Sequence, residues 1–304
     1  MRIFVLTGPT GVGKSEVAVA LAERFGLEII SADSRQIYRH FDIGTDKPSR
    51  QLRQQIPFHL IDILEPDQPY SAAEFARDAR LVIEKITKAR GKFIIVGGSV
   101  FYLRALFQPL FPVPRVDPAI RQKLQAEDTN RLYLRLKEVD PERANQLHPH
   151  DRQRIVRALE VYELTGKTFT QLSSEQKETT DLLPVYAVLT MPRERLYQRI
   201  NERFDRMMAN GLLEEVRSLK EMGFGTNTPA VQGYGYLELF LYLEGKIGLD
   251  EAVRLAKKRT RGYAKRQLTW LHSLKGAHWF EFTDIADVVS KIEPLLLDTL
   301  NIQG

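Results

Sequence analysis

The sequence contains no cysteine. That excludes disulfide bonds, thiolate zinc sites and a cysteine nucleophile together. It also lacks any long hydrophobic run. The N-terminal apolar stretch Ile3-Phe4-Val5-Leu6 is too short for a signal-peptide core or a membrane span. The expectation is a soluble, cytoplasmic protein with no membrane partner. Internal repeats and low-complexity tracts are missing, which sets aside solenoids and disordered arrays. No apolar seam marks a subunit interface, so a monomer is expected. What remains is a chain of 304 residues, 43% of them hydrophobic. That is enough for one large domain or a domain with a sizeable insertion.

The strongest positive signal is Gly8-Pro9-Thr10-Gly11-Val12-Gly13-Lys14-Ser15, which matches G-x-x-x-x-G-K-[ST]. A strand candidate, Ile3–Leu6, precedes it, and a helix candidate, Glu16–Ala22, follows. Glycines let such a loop curl so that its N–H groups face an anion. The helix start adds positive dipole character. Lys14 supplies a full charge, and the Ser15 hydroxyl suits Mg²⁺. The loop binds a polyphosphate or a diphosphate; alone it does not say which.

The first 111 residues alternate strand and helix: Ile3–Leu6, a helix from Glu16, Leu27–Ser31, Phe58–Leu64, a helix from Ser71 to about Arg90, and Phe93–Val96. This alternation predicts a parallel sheet covered by helices. Pro109, Pro112, Pro114 and Pro118 then mark a boundary. From about Asp117 to Thr180 the pattern is helical and polar, and a strand returns at Pro184–Leu189. The predicted fold class is α/β, a P-loop NTPase-like parallel sheet flanked by helices with an inserted all-helical domain. Residues 1–116 and 184–304 form the core in this reading, and 117–183 the insertion. Helices are predicted over about Glu194–Met222, Tyr236–Leu243 and Leu249–Leu274, followed by a strand at His278–Phe282 and a C-terminal helix.

Asp33 follows the second strand, and the carboxyl ends of strands line the ligand crevice of open parallel sheets. It either faces the bound phosphates or caps the next turn. Ser34, Arg35 and Gln36 either hydrogen-bond a base or phosphate or shape their loop. Gly97-Gly98-Ser99 brings a hydroxyl to the same edge of the sheet. No acid ends the strand Phe93–Val96, where a hydrolase places its Mg²⁺-holding carboxylate; Asp62 is the available substitute. The net charge is +5, and Arg254–Arg266 holds seven basic residues with no acidic one. Such a run marks either a polyanionic partner or a solvated helix face.

Several blocks together resemble the tRNA dimethylallyltransferases. They are Gly8–Ser15, Ser31–Tyr38, Asp42–Pro48, His59–Asp62, Tyr70–Ala72, Val96–Tyr102, Asp151–Val161, Thr165–Lys167, Arg199–Met207 and Ala264–Trp270, in the family's order. The resemblance implies transfer of a dimethylallyl group from dimethylallyl diphosphate to N6 of adenosine 37, beside the anticodon of tRNA. The loop Gly8, Pro9, Thr10, Gly11, Val12, Gly13, Lys14 and Ser15 would then hold a leaving diphosphate, with Mg²⁺ on Ser15. Asp33 would be the general base and Ser99 would hydrogen-bond beside it. Arg203 would contact the diphosphate, or else form an intrahelical salt bridge.

The resemblance carries tRNA contact to Asp33, Ser34, Arg35, Gln36, Ser99, Arg121, Gln153, Arg154, Ile155, Val156 and Arg157. Arg154 and Arg157 stand three apart and share a helical face, which is either a contact or a solvated surface. Two departures stand out. Position 99 is Ser where the family commonly has Thr, which removes a rotamer-fixing methyl. The segment Ala230–Tyr236 carries an additional glycine and aromatic around the family's Gly-Tyr. Three alternatives stay open: an adenylate isopentenyltransferase, a P-loop kinase for a small molecule, and a non-catalytic RNA-binding NTPase.

Overall fold

The computed structural model describes residues 1–108, 117–175 and 180–301. The expected boundary residues Pro109, Pro112 and Pro114 lie outside these. Two compact units are present, Met1–Phe107 with Asp181–Gly304, and Gln108–Thr180.

The first unit begins β1 (Arg2–Thr7), α1 (Lys14–Phe25), β2 (Leu27–Ser31), α2 (Arg50–Gln55), β3 (Phe58–His59), α3 (Ala72–Lys88), β4 (Lys92–Val96) and α4 (Val100–Phe107). The described residues of the second unit form helices and no strand: α5 (Pro118–Ala126), α6 (Thr129–Val139), α7 (Pro141–Asn145), α8 (Arg152–Thr165) and α9 (Phe169–Glu175). The chain then returns to the first unit through β5 (Leu183–Thr190), α10 (Arg193–Ala209), α11 (Leu212–Glu221), α12 (Tyr236–Leu243), α13 (Leu249–Leu271), β6 (His278–Glu281) and α14 (Ile285–Leu300).

The six strands form one parallel sheet in the order β3-β2-β4-β1-β5-β6. The phosphate-loop strand β1 is therefore flanked by β4 and β5, and every strand delivers its carboxyl end to the same edge. Alternation divides each strand between two cores. Phe4, Leu6, Ile94, Ala187 and Leu189 pack on one face, while Ile3, Val5, Ile95, Tyr186 and Val188 pack on the other. Full burial of a Val, Leu, Ile or Phe side chain here contributes about 1.5–3 kcal/mol by removing apolar surface from water. A third cluster within this unit joins Ile37, Phe41, Phe204, Leu212, Val231 and Tyr236. The helical unit has its own core around Leu132, Leu136, Ile155 and Leu159.

Three boundaries differ from the sequence reading. Leu183, expected in the insertion, opens β5 and lies opposite Arg2. The strand expected over Phe58–Leu64 ends at His59, because Leu60 and Asp62 take positive φ (62° and 55°) and leave extended geometry. The long helix expected from Glu194 to Met222 is two helices. The first is capped by Asn210, and Gly211 at φ 96° opens the second. The helix expected from Ser71 forms, and Ser71 and Glu74 close a capping box at its start.

Candidate active site

The phosphate loop sits between β1 and α1. Gly13 occupies the N-cap position at φ 109°, and a Cβ there would lie 2.6 Å from the Phe282 ring. Any other residue would strain the loop twice. Lys14 donates to the carbonyl oxygens of Gly8 and Pro9, at 3.0 and 2.9 Å. Burial pushes its ammonium down to about 8. Asp33 opposes that shift, Arg203 adds to it, and Asp46 opposes it. Four charged groups thus converge on one cleft of about 700 Å³, which Thr10, Ser15, Arg35 and Arg199 also line.

Asp33 lies directly beyond β2. Its Oδ1 accepts the backbone N–H groups of Arg35 (2.8 Å) and Gln36 (3.3 Å), so it caps the turn and faces the cleft at once. Ser99 is buried, and its Oγ accepts the Ser34 N–H at 3.0 Å. The hydroxyl is fixed by this bond, so the missing threonine methyl is not needed to place it. Gly97 permits this approach, since a Cβ there would collide with the Ala32 carbonyl oxygen.

Arg203 forms no intrahelical bridge. It donates to the Thr10 hydroxyl at 2.8 Å and stands 3.6 Å from Asp46. Its acidic neighbours on the helix are engaged elsewhere, Asp205 with Lys257 and Glu202 with Gln198. Arg199 donates to the Gly11 carbonyl, pairs with Glu16 and stacks over Phe282.

Some expected contacts resolve differently. Gln36 is buried and donates to the carbonyls of Thr45 and Asp46, which makes it a loop strut more than a free base reader. Arg35 donates to the Pro229 and Ala230 carbonyls. Asp62 does not serve as the substitute hydrolytic acid. Lys47 and Arg53 grip its two oxygens at 2.6 Å each. Burial would raise its carboxyl, but those hydrogen bonds and charges outweigh it and hold it below its ordinary value.

In the helical unit, Ile155 and Val156 are buried and serve its core, because the α8 spacing turns them inward. Gln153 and Arg154 are exposed on the opposite face. Arg121 and Arg157 both bind the carboxylate of Glu160, which is fully buried. Arg154 and Arg157 therefore do not present one common surface.

Sequence reasoning missed three contributors. Gln267 is buried, accepts the Thr10 N–H at 2.8 Å and donates to the Gly98 carbonyl at 2.7 Å, stapling the phosphate loop to the Ser99 edge. The available signal was a glutamine on the apolar stripe of α13, between Ala264 and Leu271. Glu215 accepts the backbone N–H groups of Asp42, Ile43 and Gly44 and the Tyr236 hydroxyl, which fixes the loop carrying Asp46. Tyr263 lies among Gly98, Ser99 and Asp33. Burial and the Asp33 charge push its phenol up to about 12 against a hydrogen bond with Ser99.

A glycine-rich loop at the carboxyl edge of a parallel sheet, with Lys14 and Arg203 lining its cleft, defines a P-loop-like α/β protein. The profile of the IPP transferases matches residues 36–274. The chain belongs to the IPP transferase family. It is 45% identical over 289 residues to a tRNA dimethylallyltransferase of Pelotomaculum thermopropionicum, covering 94% of this chain and 92% of the relative. It is 43% identical to the corresponding protein of Geobacillus kaustophilus, covering 97% and 95%. Among solved structures, the full-length tRNA isopentenylpyrophosphate transferase of Bacillus halodurans superposes with a TM-score of 0.73. That protein is 34% identical, with coverage of 99% of this chain and 97% of that one. A eukaryotic dimethylallyltransferase acting on tRNA gives a TM-score of 0.82 at 30% identity, covering 97% of this chain and 77% of that one.

Proposed function

We propose that this protein transfers a dimethylallyl group from dimethylallyl diphosphate to N6 of adenosine 37 in the anticodon stem-loop of tRNA, releasing diphosphate. The observation that carries this reading is the shared cleft of Lys14, Arg203 and Asp33 on a strand edge with no hydrolytic acid at the end of β4. The loop holds a leaving group. A second cleft of about 500 Å³ shares Lys14, Ser15 and Asp33 and is walled by Ala18, Val19, Leu52 and Phe58, a surface suited to a short hydrocarbon.

In the reaction the exocyclic amine attacks the allylic carbon. The new C–N bond forms as the C–O bond breaks, and the diphosphate leaves with the electron pair. Lys14, Arg203 and the loop N–H groups stabilise the charge that develops on it. Asp33 has Oδ1 held by two N–H bonds, and Oδ2 takes the N6 proton. Ser99 positions this turn through Ser34. No cluster of three or more metal-ligating side chains exists among the described residues. The oxygen donors of Ser15 and Asp46 in the cleft fit a hard cation shared with the diphosphate, and Mg²⁺ bound there would supply charge neutralisation.

Acceptor contact is assigned to Arg35 in the core and to Gln153, Arg154, Arg121 and Arg157 in the insertion. Among the described residues no helix is long and apolar enough to cross a membrane. A monomer working in the cytoplasm, where tRNA is found, fits this reading. The test incubates the protein with labelled dimethylallyl diphosphate or [γ-³²P]ATP, and tRNA or AMP as acceptor. Label moving from the allylic diphosphate to tRNA supports the reading. Transfer only to AMP, or only from ATP, overturns it.

A further inference from the structure

The segment Gly233–Tyr236, where the sequence departs from the family pattern, builds an aromatic and arginine cluster in the wall of the reactive cleft. Tyr234 and Tyr263 both line that cleft with Thr10, Lys14 and Asp33. Their ring centroids are 5.3 Å apart. The Tyr234 hydroxyl accepts a hydrogen bond from Arg266 at 2.7 Å. The Arg259 guanidinium lies 5.5 Å from the centroid of the Tyr234 ring, and that of Arg266 lies 6.0 Å from the centroid of Tyr263.

The two arginines differ in charge balance. Arg259 is neutralised by Glu238, a buried carboxylate 2.6 Å away that also accepts the Gly235 N–H. Arg259 thus ties α13 to the start of α12 and fixes the backbone under Tyr234. Arg266 is exposed and has no carboxylate partner among the described residues; its partner is the neutral Tyr234 hydroxyl. A held aromatic ring beside an uncompensated guanidinium matches the two halves of a nucleotide. The ring offers a stacking face to a base, and the guanidinium pairs with a phosphate. Aliphatic or peptide ligands would use only one of the two.

We infer that Tyr234 and Arg266 hold a nucleotide adjacent to the reacting adenine, Tyr234 by stacking on its base and Arg266 by pairing with its phosphate. This rests on the proposed reaction. The pair acts in positioning: gripping the neighbour fixes the target adenine against Asp33 without touching the bonds that change. Tyr263, held by Gly98 and Ser99, links that grip to the reacting edge.

The test measures transfer to a synthetic anticodon stem-loop RNA. Tyr234→Ala is expected to lower kcat/KM for the RNA about tenfold, within the range of one base–aromatic stack, with KM for dimethylallyl diphosphate unchanged. Tyr234→Phe keeps the ring and restores most of the loss, and Tyr234→Leu, which preserves volume, does not. Arg266→Ala is expected to reduce the salt slope of RNA binding by about one. Of two RNAs, each made abasic at one neighbour of the target adenine, one should lose the same factor with the unsubstituted protein and lose nothing further with Tyr234→Leu. Unchanged kcat/KM in Tyr234→Leu, or abasic losses undiminished by it at both neighbours, overturns the inference. The reaction itself fails on a separate result, the absence of transfer by the unsubstituted protein to intact RNA.

Discussion

Two pairs of cations in this chain have opposite electrostatic fates. In the core, Lys14 donates to backbone carbonyls and Arg203 to the Thr10 hydroxyl, with Asp46 at the edge of contact. Neither is committed to a buried carboxylate. In the insertion, Arg121 and Arg157 share one fully buried carboxylate, Glu160. A buried, unpaired Glu160 would be costly, so these arginines first neutralise it. Only what remains exposed of them can meet RNA. Residue type therefore does not separate a cation that lines the cleft from one that neutralises a buried carboxylate; the partner does.

The largest effect is expected at the centre of the cleft. Asp33→Asn is expected to slow transfer about 10²–10⁴-fold, the range of a positioned general base, with diphosphate affinity retained in a binding assay. Normal turnover would end the general-base assignment. Next in size, Glu160→Ala should cost about 3 kcal/mol in denaturant unfolding, toward the lower end for breaking a buried ion pair because Arg121 stays partly exposed. Combining it with Arg121→Met and Arg157→Met should recover stability. A loss that persists in the triple variant would mean that Glu160 has another role.

A smaller effect is expected in the clamp on the Asp46 loop. Glu215→Gln should weaken diphosphate binding about fivefold, for about 1 kcal/mol of lost charge-assisted hydrogen bonding. Unchanged affinity would show that this loop does not need its anchor. The Lys14 charge gives a pH test. With its ammonium pushed down to about 8, diphosphate affinity should fall as pH rises through that value. Arg203 helps hold this value down, so Arg203→Gln should move the fall to higher pH. The ligand's own titration cancels in that comparison, and a midpoint that does not move separates the two cations. Smallest are the changes on α13. Lys258→Ala and Lys265→Ala, at exposed positions, should each lower the salt slope of tRNA binding by up to about one. Arg261, tied to Asn201, should contribute less.

Much of the core was readable because its signals are local. Short apolar runs marked strands such as β1 and β4. Where the reading erred, a backbone detail intervened. The third strand stopped at His59 because Leu60 and Asp62 turn to positive φ, which their side chains do not announce. The basic run over α13 looked uniform. Five of its seven members are engaged, Arg254 with Glu251, Lys257 with Asp205, Arg259 with Glu238, Arg261 with Asn201 and Arg266 with Tyr234. Four of those partners are far away in the sequence, where no helical spacing could reveal them.

Local residue order was enough to specify the phosphate loop, the parallel strand frame and the family. Each of these depends on the order and spacing of neighbouring residues, which fixes backbone geometry within a turn or two. Tertiary structure decided which side chains keep their charge for a ligand. Gln267 meets Thr10 across 257 positions, and Glu215 meets Ile43 across 172. Such bonds form only after the sheet has brought its strand ends to one edge, and a buried polar group then takes whatever partner the packing supplies.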